Sequence, residues 1–227
     1  MILPPHALHE RQQATHALLR SAGVVPVVTI ETAEQSIRTA DALQRGGLRA
    51  IEVTLRTPAA VAALGALKRA LPHMAIGAGT VRTQAQVREV LDQGVDFIVT
   101  PGTPPALAAA LAPLTLPVVP GAATPTEMMA LLDAGFDVVK LFPASVVGGL
   151  AMIKALAAPF PDLGLCPTGG INEANALEFL RQPNVPCVGG SWMVAPEWIA
   201  AGQFDLVEQS ARRARALADS VPPATRP

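Results

Sequence analysis

The sequence predicts an α/β fold: a (β/α)8 TIM barrel with an extra N-terminal helix. Three observations predict it. Short apolar runs recur with starts roughly 20 to 27 residues apart, the spacing of βα units. The runs are nearly continuous Val, Ile, Leu and Ala rather than alternating, as parallel strands covered on both faces read. Between them lie helix patterns with their own start and stop residues. The alternative is an open doubly wound sheet. It finds little support, because GAG at Gly77 to Gly79 is only a fragment of a dinucleotide-binding GxGxxG.

In chain order, residues 6–22 form a leading helix that closes one end. The strands follow as VVPVVTI from Val24, AIEVTL from Ala50, AIGAGT from Ala75 and FIVTPG from Phe97. PVVPGA from Pro117, VVKLFPA from Val138, GLCPTGG from Gly164 and CVGGSWM from Cys187 complete the set of eight. Thr57-Pro58, Thr103-Pro104 and Thr124-Pro125 each offer an N-cap threonine with proline at the first helical position. Thr83 and Asn172 are further caps, and Gly46-Gly47, Gly94 and Gly135 sit where helices should stop. Pro104 to Ala123 is uncharged and mostly apolar, which raises a membrane span. Pro113, Pro117 and Pro120 would break such a helix, so a helix followed by a strand fits better. No linker-like shift divides the chain, which reads as one domain, 1–227, with a flexible tail at 218–227.

Half of the residues are hydrophobic, 15% are charged, and the net charge is −1. That balance argues against nucleic acid and against a membrane surface as partners. The start, MILPPHALHERQQ, lacks the layout of a signal peptide. Cys166 and Cys187 are far apart and form no CxxC or Cys/His cluster. The expectation is a soluble cytoplasmic protein with reduced thiols.

In a barrel of this kind the chemistry lies at the carboxyl ends of the strands. Of the lysines Lys68, Lys140 and Lys154, only Lys140 lies in a strand. Val138, Lys140 and Phe142 share one side of it. If that side faces inward, burial disfavours the charged amine, and a neutral amine attacks carbonyl carbon to form a Schiff base. The competing reading is a structural lysine paired with a buried carboxylate. Glu52, Thr54 and Arg56 share one face of the second strand, with Glu52 inside and Arg56 at the rim. Glu52 can shuttle protons, serve as the charge partner of Lys140, or do both. Arg56 can clamp a carboxylate; alternatively, both side chains face the helices.

PTGG at Pro167 to Gly170 and GGSW at Gly189 to Trp192 end the seventh and eighth strands, the usual phosphate position of the fold. Glycine backbone N–H groups approach an anion closely there. Ser191 adds a hydroxyl, and Asn172 starts a helix whose N-terminus adds its dipole. Thr80 closes the third strand, while Pro101, Phe142 and Thr168 supply pocket walls. His6, His9 and His16 lie in the leading helix and His73 at the opposite end from the site, so no metal site is expected.

EVTLRT, GAGTV, TPG, KLFPA, CPTGGI and GGSWM, in this order, resemble the 2-keto-3-deoxy-6-phosphogluconate (KDPG) and 4-hydroxy-2-oxoglutarate (KHG) aldolases of the Entner–Doudoroff pathway. The resemblance spans Val24 to Met193. It implies a homotrimeric class I lyase that cleaves KDPG reversibly to pyruvate and glyceraldehyde 3-phosphate, and also KHG to pyruvate and glyoxylate. It implies no cofactor beyond a covalent Schiff base through Lys140, with Glu52 as general acid/base. Arg56 and Thr80 fall on carboxylate-binding positions. Gly169, Gly170 and Ser191, with Gly190 adjoining, fall on phosphate-binding positions, and Pro101 and Phe142 on pocket walls. Ser145 departs from the Glu found in many relatives, with an effect expected on loop packing or trimer contacts. The rival readings are a sister aldolase acting on 2-keto-3-deoxy-6-phosphogalactonate and a phosphate-ligand-binding barrel without turnover.

Overall fold

Each of the eight apolar runs becomes parallel strand, and a proline divides the fifth. The computed structural model describes residues 3–222. Helix α1 (Pro5–Ala22) leads into β1 (Val24–Val28), α2 (Ala33–Arg45), β2 (Ala50–Thr54), α3 (Ala60–Ala70) and β3 (Ala75–Gly79). Then come α4 (Gln84–Asp92), β4 (Phe97–Val99), α5 (Pro105–Leu111), β5 (Val118–Val119), β6 (Gly121–Ala122), α6 (Pro125–Asp133) and β7 (Val138–Leu141). The chain continues through α7 (Gly149–Ala157), β8 (Gly164–Pro167), α8 (Ala176–Leu180), β9 (Val188–Gly190), α9 (Pro196–Ala200) and α10 (Phe204–Asp219). Pro120 separates β5 from β6 because it has no N–H to give to a ladder.

Every strand pairing is parallel, in a six-stranded order β5-β4-β3-β2-β1-β9 and a three-stranded order β6-β7-β8. A further parallel bridge joins Thr168, just past β8, to Gly189 in β9. Alternation along the strands sorts their side chains into two clusters. Val24, Ile51, Val53, Ile98, Val139, Leu141 and Leu165 pack with the helices. Val25, Ala50, Phe97, Val99, Val138 and Cys166 turn the other way and meet Leu19 and Ala22 of α1. The sheet is therefore curled, helices cover its convex face, and α1 seals the end where the strands begin.

Buried Arg11 ties α1 in place. Its guanidinium donates to the carbonyls of Ala112 and Gly135, each at 2.9 Å, and lies 4.6 Å from the centroid of the Phe136 ring. Arg11→Met keeps the stem but strips the donors from those buried carbonyls. We expect a loss of about 2–3 kcal/mol, the scale of hydrogen bonds to a charged group. A urea midpoint equal to wild type would contradict that.

Several expected boundaries change. Thr124 caps α6 in a full capping box with Glu127, and Thr83 caps α4. Gly47, Gly94 and Gly135 end helices at positive φ. Thr57-Pro58 does not start α3, whose N-cap is Ala59, because the Thr57 hydroxyl turns to the Ile30 carbonyl. Thr103 is drawn to Thr100 and to the Gly121 carbonyl, so Pro104 becomes the N-cap of α5. Asn172 accepts from the N–H groups of Ala174 and Asn175, which delays α8 to Ala176. That helix is only 5 residues long, so the dipole expected from Asn172 has little behind it. At the other end α10 runs to Asp219, into the segment expected to be a tail; residues 223–227 lie outside the described residues.

Candidate active site

Lys140 points inward. Parallel register sets Lys140 beside Gly121 on one side and Cys166 on the other, and Glu52 beside Val27 and Gly77. Lys140 and Glu52 come from strands 88 residues apart in sequence and meet in the interior. Lys140 Nζ donates to Glu52 Oε1 at 2.9 Å and Oε2 at 3.3 Å. Their side chains are 5% and 4% exposed, so little water competes for the contact. The amine also lies 5.4 Å from the centroid of the Phe142 ring.

The small residues around the pair have a steric reason. A Cβ on Gly79 would fall 2.2 Å from Glu52 Oε1, so only glycine leaves room for the carboxylate. A Cβ on Gly121, the register neighbour of Lys140, would strike the Pro101 carbonyl at 2.6 Å. The GAG fragment is thus explained by close packing: Gly77 makes the same kind of room for the Phe97 ring.

Above the pair opens a cavity of about 610 Å³. Arg56, Phe142 and Thr168 line it, together with Gly169, Gly170, Gly190 and Ser191. The structure thus gathers seven of the predicted site residues on one surface. Lys140, Glu52, Thr80 and Pro101 lie outside that lining. Phe142 links the amine to it, while Thr54 bridges Val28 and Thr29 beside Glu52, with both oxygen contacts at 3.1 Å. Thr80 adopts φ 59°, left-handed and costly for a β-branched residue, at the turn leaving β3 next to Gly79.

Arg56 is exposed at the cavity and takes part in none of the ion pairs among the described residues. Its guanidinium is free to receive a ligand carboxylate. By contrast Lys68 is held by Asp96 at 2.6 Å. The glycine loop after β8 is braced by the segment after β7. Ala144 N–H donates to the Thr168 carbonyl at 2.8 Å, and Ser145 N–H to Gly169 at 3.1 Å. Gly169 and Gly170 have φ 94° and 78°, and a Cβ on Gly170 would fall 2.1 Å from Ser145 Oγ. Ser145 therefore packs directly against one glycine loop.

Sequence reasoning missed Thr29, Glu31 and Gln35, which line the cavity from the β1–α2 segment, and Val194 and Ile199 beyond β9. The rule that sites lie at carboxyl ends of strands applied equally to β1 and would have found Thr29. Among the described residues, no three His, Cys, Asp or Glu side chains are grouped to hold a metal ion. No helix there is long and apolar enough to cross a membrane.

Comparison with known proteins bears on this geometry. The family model for KDPG and KHG aldolases matches residues 15–210. The KHG/KDPG aldolase of Escherichia coli (strain K12) is 39% identical over 201 residues, covering 88% of this chain and 94% of that protein. A KDPG aldolase from Legionella pneumophila, solved with pyruvate captured as a covalent carbinolamine intermediate, superposes with TM-score 0.86. It is 40% identical, with 88% of this chain and 97% of that one covered. The KDPG aldolase of Zymomonas mobilis ZM4 with 3-phosphoglycerate gives TM-score 0.85 and 36% identity, over 91% and 97% of the two chains. An inward lysine held by a glutamate beneath a cavity with two glycine loops thus sits on a scaffold matched along most of its length, and the chain belongs to the KDPG and KHG aldolase family.

Proposed function

We propose that this protein is a class I aldolase cleaving KDPG to pyruvate and glyceraldehyde 3-phosphate, and KHG to pyruvate and glyoxylate. The observation that carries the reading is the buried Lys140–Glu52 contact at 2.9 Å beneath the cavity. A nucleophilic amine needs a base within hydrogen-bond reach, and Glu52 is that base. Lys140 Nζ passes a proton to Glu52 and attacks the C2 ketone, giving a carbinolamine. Glu52 returns that proton to the carbinolamine hydroxyl, which leaves as water, and an iminium remains. Glu52 takes the C4 hydroxyl proton as the C3–C4 bond breaks, and the bonding pair becomes an enamine. The aldehyde departs, the enamine is protonated at C3, and water releases pyruvate and the free amine.

Arg56 receives the substrate carboxylate, and the strained Thr80 turn supports it. Gly169, Gly170, Gly190 and Ser191 hold the phosphate through neutral N–H and O–H donors, while Pro101, Phe142 and Thr168 form walls. No metal or organic cofactor enters this sequence of steps. The two ladders constitute a closed (β/α)8 barrel and one domain spanning 1–227. Two junctions support closure: Pro120 alone separates β5 from β6, and the Thr168–Gly189 bridge joins β8 to β9. A cytoplasmic homotrimer of the Entner–Doudoroff pathway completes the reading, resting on family membership.

Borohydride reduction in the presence of pyruvate tests the proposal. The expected product is one pyruvate-derived mass adduct on the peptide containing Lys140; a ligand-binding barrel without turnover gives none. Gly170→Ala tests the phosphate assignment, since its φ of 78° and the contact with Ser145 resist a Cβ. KM for KDPG should rise about tenfold, equivalent to about 1.4 kcal/mol, with little change for unphosphorylated KHG. Equal effects on both substrates would remove the phosphate from these loops.

A further inference from the structure

Cys166 and Cys187 are the only cysteines of the chain, and the aldol steps use neither. They are 21 residues apart in sequence, yet their sulfurs are 3.1 Å apart and no disulfide joins them. The strand register explains the meeting. Thr168 pairs with Gly189, and each cysteine stands two residues before one member of that pair. Residues two apart along extended chain share a face, so the side chain of Cys166, in β8, and that of Cys187, immediately before β9, rise next to each other. Adjacent strands are about 4.8 Å apart, within the roughly 4.4–6.8 Å separation of α-carbons that a disulfide spans. The thiols therefore need no backbone rearrangement to join. Cys166 keeps 6% of its surface exposed and Cys187 none. It is also the register neighbour of Lys140, just below the Thr168 carried by the cavity wall.

We infer that Cys166 and Cys187 form a redox modification site, which hydrogen peroxide converts from dithiol to an intramolecular disulfide between the two strands beneath the glycine loops. Cys166, the thiol with residual exposure, attacks peroxide. The O–O bond breaks, an S–O bond forms, and one water leaves with Cys166 as sulfenic acid. Cys187 Sγ then attacks Cys166 Sγ, the S–O bond breaks, the S–S bond forms, and a second water carries away the thiol proton and the hydroxyl. The pair loses two electrons, and peroxide becomes two waters. The resolving thiol is already in contact, so ring closure outruns a second oxidation of the sulfenic acid. The closed loop constrains the unfolded chain, so the oxidised protein should melt roughly 5–10 °C higher.

The test uses the full-length protein treated with hydrogen peroxide, denatured in N-ethylmaleimide and read by mass spectrometry without reductant. The expected result is a monomer lighter by about 2 Da that takes up no maleimide. Its digest should contain one cross-linked peptide pair joining positions 166 and 187, and dithiothreitol should restore two maleimide-reactive thiols and the original melting temperature. Cys187→Ser should divert oxidation to sulfinic acid on Cys166. Sulfinic or sulfonic acid in the wild type without a cross-link overturns the proposal, as do a cross-link between chains or two thiols still reactive after treatment. None of these readouts depends on aldolase activity.

Discussion

Lys140→Arg is expected to leave a folded protein without aldolase activity. Arginine keeps a positive charge against Glu52 and can donate two parallel hydrogen bonds to its carboxylate. It stays protonated, so it supplies no lone pair for attack on a ketone. The loss should exceed about 10⁴-fold in kcat, because the covalent route is removed rather than weakened. Borohydride with pyruvate should leave no adduct on the variant. Lys140→Met would be a poorer test. It strands the Glu52 carboxylate in a site where it is only 4% exposed, and breaking a buried pair costs about 3–5 kcal/mol. Lost activity would then be confounded with unfolding. An adduct that persists on Lys68, already bound to Asp96 at 2.6 Å, or on Lys154 would end the Schiff-base assignment to Lys140.

The contact behind this expectation was half legible in the sequence. Alternation placed Lys140 with Val138, and Glu52 with Thr54, on one side of their strands, and the structure keeps both sets inside. Parity could not say which side was inside, because runs such as VVKL are apolar on both faces. Composition settles that only through long-range packing: Val138 meets α1, whereas Val139 and Leu141 meet the outer helices. The glycine loops were legible by position at strand ends. The helix starts at Thr57 and Thr103 were not, because each hydroxyl found a nonlocal carbonyl that no local pattern encodes. The Cys166–Cys187 contact was hidden for a similar reason. Spacing rules look for neighbours along the chain, whereas strand register created this pair.

Glu52→Gln separates the two roles the sequence left open for that residue. Glutamine matches the shape of glutamate, so the space opposite Gly79 accepts it, and its amide oxygen can still accept from Lys140. It carries no charge and cannot take a proton. If Glu52 only neutralised Lys140, the main effect would be on stability, with the remaining folded enzyme close to wild type per molecule. If Glu52 moves protons at the C4 hydroxyl and at C3, the loss falls on kcat by about 10²–10⁴-fold. We expect the second outcome, together with a destabilisation of up to about 3–5 kcal/mol from the loss of the amine's counter-charge. A urea titration gives the folded fraction under assay conditions, so the rate can be corrected for it. Slow but measurable trapping of pyruvate should survive, since Lys140 itself remains. A corrected kcat within about threefold of wild type, far short of a general acid/base effect, would reduce Glu52 to a counter-charge and require another proton carrier in the cavity. Glu31, a carboxylate that lines the cavity and is without an ion pair among the described residues, would be the first to replace.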